Sequence, residues 1–180
     1  MIFDTLKKYM TPMDMRESAS NRIDDIEAFI VRMTDRAAEN YEKRQFEEAF
    51  GLPEKPDIER LKSLIATFSM ISILAIYSQL TSRPDINEVE AELRSRLAEK
   101  FEPVLSKEDE EVMAKEAFLG IVNNLDFQES SGMVCDGFYG DLLEHLTEED
   151  YIKKLGPYLD RLLAAVYKDC HAFLENIKVI

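Results

Sequence analysis

A chain of 180 residues with 46% apolar and 32% charged side chains has the material for one buried core and lies outside the range of disordered segments. Its 36 acidic against 22 basic residues leave a formal net charge of −14, which argues against nucleic acid and an anionic membrane surface as partners, since both need a surplus of Lys and Arg. Six glycines and six prolines supply few turns and point to long helices, while two cysteines 35 positions apart and no secretory leader pattern point to a reducing cytoplasm.

In chain order, Ile2, Phe3, Leu6, Tyr9 and Met10 suggest a short amphipathic helix stopped by Pro12. The next helix starts after Ser18 or Ser20, each of a residue type that caps helix N-termini. Its apolar positions Ile23, Ile26, Ile30, Met33, Ala37 and Tyr41 step by three or four, the helical period. Glu39 and Lys43 form an i,i+4 pair on its wet face, and Gly51, Pro53 and Pro56 end the segment.

Asp57 then caps a helix over about 58–80. Leu61, Leu64, Ile65, Phe68, Ile71, Leu74 and Tyr77 make one stripe; Met70, Ile73 and Ile76 make a second apolar face. A helix apolar on both sides belongs in the centre of a bundle, and its serines let neighbours approach closely. Positions 63–82 carry no charge at all, but eight of them are Ser, Thr or Gln, so burial in protein explains the stretch better than a membrane span.

Pro84 closes that helix. Asp85 with Glu88 resembles a capping pair for the next one, which buries Val89, Leu93, Leu97 and Phe101 and ends at Pro103. Ser106 with Asp109 opens a helix that buries Val112, Leu119, Val122 and Leu125. The stretch 127–141 holds Gly132, Gly137 and Gly140 and reads as an acidic hinge, followed by a short helix over about 138–146. Thr147 with Asp150 starts the last segment, where Gly156–Pro157 should kink or break the helix. Beyond it, Leu159, Leu162, Leu163, Val166, Cys170, Phe173, Leu174 and Ile177 keep helical spacing. No run alternates with period two. The expected fold is all-α, a single domain built as a bundle of six to eight helices around the 58–80 helix.

Chemistry-bearing patterns fail one by one. A helical di-iron site needs Glu three residues before each His, yet Leu142 and Lys168 stand there before His145 and His171. Cys135, His145, Cys170 and His171 could form a zinc site only if three separate segments converged. The Glu-x-x-Glu pairs Glu39/Glu42, Glu99/Glu102 and Glu108/Glu111 are what chance spacing gives in a chain with 22 glutamates. Neither Asp126 nor Asp136 begins a calcium loop, because glycine and glutamate fall at the wrong positions. No phosphate-binding loop or nucleophile elbow is present. No catalytic residue, metal or cofactor is therefore assigned. Cys170 lies on an apolar stripe and reads as a small core residue.

One feature rises above composition. Positions 116–152 hold nine acids and no Lys or Arg. Asp126, Glu129, Asp136, Asp141 and Glu144 are its candidate partner-binding carboxylates, for a basic protein partner. The expected function is thus a cytoplasmic, non-enzymatic interaction module: an adaptor, inhibitor or chaperone-like protein. The alternative is a small-molecule- or metal-binding helical protein, an enzyme included. Its pocket would lie between the central and C-terminal helices, near Phe68, Tyr77 and Tyr167. Oligomeric state is not legible.

Overall fold

The computed structural model describes residues 17–42, 58–79, 83–102, 110–111 and 149–180. A 3-10 turn over Ala19–Arg22 leads into α1, Ile23–Glu42; then follow α2, Ile58–Ser78, α3, Ile86–Ala98, and α4, Glu149–Asn176. Among the described residues there is no strand. The all-α class holds. The expected helix over 2–10, the caps at Asp57 and Ser106, and the helices over about 112–125 and 138–146 lie outside the described residues.

Helix α1 buries Ile26, Ile30, Thr34, Ala38 and Tyr41, one stripe at spacings of three and four. Asp24 and Asp25 occupy its first turn, where carboxylates meet the positive end of the helix dipole. Helix α2 differs in kind. Thirteen of its 21 residues are buried, including Leu61, Ile65, Phe68, Ile73 and Tyr77 at 1% exposure or less. Burying one such side chain contributes about 1.5–3 kcal/mol, so this helix anchors the core. It is long and apolar enough to cross a membrane, but 72% of its most apolar window is buried inside the protein.

Contacts give the directions of the helices. Tyr41 lies near Tyr158, and Phe29 stacks on Phe173 with ring centroids 4.1 Å apart. Numbers rise on α1 as they fall on α4, so the two are antiparallel. Cys170 Sγ reaches Ser69 O at 3.8 Å, and Arg83 reaches Val179 O at 3.1 Å. Helices α2 and α4 therefore run parallel. Helix α3 runs antiparallel to α2, since Tyr77 meets Asp85 while Ala66 and Met70 lie near Leu97 and Phe101, and its Val89, Leu93 and Leu97 are buried. Helix α2 packs against each of the other three helices.

Of the expected kink or break at Gly156–Pro157, the break is absent: helix α4 runs through both residues. Proline there removes one backbone hydrogen bond, whereas the stripe after it buries Tyr158, Leu163, Val166, Cys170 and Leu174. Several buried side chains outweigh one lost bond. The helix then ends on Lys178 with φ 61. Val179 N donates to Leu174 O and Lys178 N to Glu175 O, each at 3.0 Å, and Leu174 and Val179 are both fully buried. This is a Schellman stop, with lysine where glycine is usual.

Candidate functional site

Of the residues singled out from sequence, Asp126, Glu129, Asp136, Asp141 and Glu144 lie outside the described residues, as do Cys135 and His145. The expected ligand-pocket residues are described. Phe68 and Tyr77 are core side chains at 1% and 0% exposure, and Tyr167 is half-buried against the same core. Burial and the neighbouring Cys170 push the Tyr167 hydroxyl up to about 12.

Tyr77 belongs to a polar cluster that joins three parts of the chain. A buried tyrosine needs a partner for its hydroxyl, and here the hydroxyl donates to Asp85 Oδ1 at 2.8 Å while accepting from Ala19 N at 3.0 Å. Asp85 also accepts from Ser18 Oγ and, at 3.2 Å, from Ser20 N. Both Ser18 and Asp85 stand at N-cap positions, yet neither side chain makes a cap bond. The expected local caps bond to each other instead, across 67 positions. A charge-assisted bond in a half-buried site outweighs a cap bond near water.

Arg83 completes the cluster. Its guanidinium lies over the Tyr77 ring, 5.1 Å from the centroid, and it holds Val179 O. Glu17 N donates to Lys178 O at 3.1 Å. The entry to α1, the end of α2 with residues 83–85, and the tail after α4 are thus clasped together.

Electrostatics make this clasp a poor base. Burial alone would raise the Asp85 carboxyl, but the bonds from Ser18, Tyr77 and Ser20 outweigh it and hold the group below its ordinary value. Burial, helped by the facing Asp85, raises the Tyr77 hydroxyl although Ala19 N and Ser18 act against it. Ser18, Ala19, Ser20, Tyr77 and Asp85 spend these donors and acceptors on one another, so the arrangement positions backbone.

The other reactive groups are as restrained. Cys170 is fully buried, and burial together with Asp169 raises its thiol, which suppresses the nucleophilic thiolate. His171 sits at the surface with Nδ1 3.7 Å from Glu175 Oε1. Among the described residues no group of three or more His, Cys, Asp or Glu is arranged to hold a metal ion. Asp24, Glu27 and Glu92 converge instead on the Arg96 guanidinium, at 2.6, 2.9 and 2.7 Å. Lys100 joins Glu27 at 3.5 Å, so α1 and α3 are seamed by charge.

A groove of about 180 Å³ runs between α2 and α3, lined by Ala66, Thr67, Met70, Leu97, Ala98 and Phe101. Arg94 lies on its rim, bonded to Glu110 at 2.7 Å and Glu90 at 2.9 Å. Sequence reasoning had no signal for this groove, because its walls are ordinary stripe residues of two helices. It did hold a signal for the clasp: a tyrosine on the face of a core helix requires a polar partner nearby.

No protein-family model, no curated protein and no solved structure matches this chain.

Proposed function

We propose that this chain is a non-enzymatic, cytoplasmic protein-interaction module, a single helical bundle of six to eight helices that meets a basic protein partner through positions 116–152. The observation that carries the reading is the run of 37 positions with nine acids and no Lys or Arg, in a chain of net charge −14. Asp126, Glu129, Asp136, Asp141 and Glu144 are the proposed contacts.

The described surface carries ion pairs of its own. Arg22, Lys62, Arg94, Arg96 and Lys100 pair with Glu17, Asp25, Glu59, Glu90, Glu110, Asp24, Glu27 and Glu92. A run of nine acids without a Lys or Arg in sequence steers a basic protein over long range.

The test isolates the protein from its native cells at low and at high salt, beside a variant carrying Asp136→Lys, Asp141→Lys and Glu144→Lys. The expected result is a basic protein that co-purifies at low salt, fades as ionic strength shortens the screening length, and is lost with the variant. A triple variant that keeps every native association refutes the acidic-face reading.

The α2–α3 groove favours a second reading, a small ligand held between helices. Melting temperatures measured across a panel of metals and metabolites decide it: a shift for one compound class supports this reading, and a flat panel removes it.

A further inference from the structure

We draw no further inference here: the strongest candidate, the groove between α2 and α3 floored by Ala66, Met70, Leu97 and Phe101 beside the Arg94–Glu110 ion pair, is an apolar face for which nothing in the structure shows what covers it.

Discussion

Asp85 is where single-residue chemistry decides most. It accepts three hydrogen bonds from two other parts of the chain, and these hold its carboxyl below the ordinary value. A carboxyl depressed by folding contributes stability that is fully present above its unfolded-state pKa and is lost as pH falls through the lower folded value. Asp85→Asn turns one acceptor oxygen into a donor that faces other donors. Its expected cost at neutral pH is about 1–3 kcal/mol. Urea midpoints measured from neutral pH downward check the sign: the gap between wild type and Asp85→Asn should narrow only in the acidic range, below the ordinary aspartate value. A constant gap across that range would show that Asp85 stays bonded when protonated.

Lys178 is a residue of the opposite kind, one that carries strain. A side chain with a Cβ costs roughly 1–2 kcal/mol in the left-handed conformation, and glycine removes most of that at some entropic cost to the folded state. Lys178→Gly is expected to raise stability by about 0.5–1 kcal/mol, or roughly 1–4 °C in Tm for a chain of this size. An unchanged or lower Tm would mean that the lysine side chain makes contacts that offset the strain.

Among the elements, α2 combines apolar burial with buried hydroxyls. Ser69 Oγ donates back to Ile65 O at 2.5 Å. Ser72 is fully buried, and its Oγ has no hydrogen-bond partner among the described residues; Thr34 on α1 is the same. A hydroxyl taken from water without a partner costs about 1–3 kcal/mol by mutational measures, and alanine is also the better helix former. Ser72→Ala should therefore stabilise the protein by about 1 kcal/mol, seen as a higher urea midpoint at unchanged slope. A loss of stability instead would show that the hydroxyl is paired in solution.

These elements also mark what could be seen in advance. The stripes of α1, α2 and α3 were legible because a 3.6-residue period repeats in Ile26/Ile30, Leu61/Leu64/Ile65/Phe68 and Val89/Leu93/Leu97. The unbroken passage of α4 through Pro157 was not, since local rules register the lost bond and miss the packing downstream. The stop at Lys178 had no glycine to announce it. The Ser18–Asp85 bond was hidden for a third reason: capping rules are local, and each residue qualified as a cap on its own.

At the scale of the whole molecule, charge and packing separate. The described helices pair the cations of Arg22, Arg94, Arg96 and Lys100 with nearby acids, while the acidic run remains a proposal read from sequence. Little of the candidate site was legible beyond that run. Of the residues expected to line a pocket, Phe68 and Tyr77 are buried core positions and Tyr167 is half-buried.

The clasp has a consequence in hydrogen exchange. Amides at the ends of helices ordinarily exchange fast because helix ends fray alone. Here the amide of Glu17 is held by Lys178, that of Ala19 by Tyr77, and the tail at Val179 by Arg83. Detaching one strand of this knot uncovers the others, so residues 17–20 and 178–179 should behave as one opening unit with a shared protection factor, and Asp85→Asn should speed exchange at both. Exchange of Val179 at the rate of an unprotected amide, unmoved by the substitution, would show that the two segments open independently. If they open together, the entry to α1 and the exit from α4 melt as one segment although some 160 residues separate them along the chain.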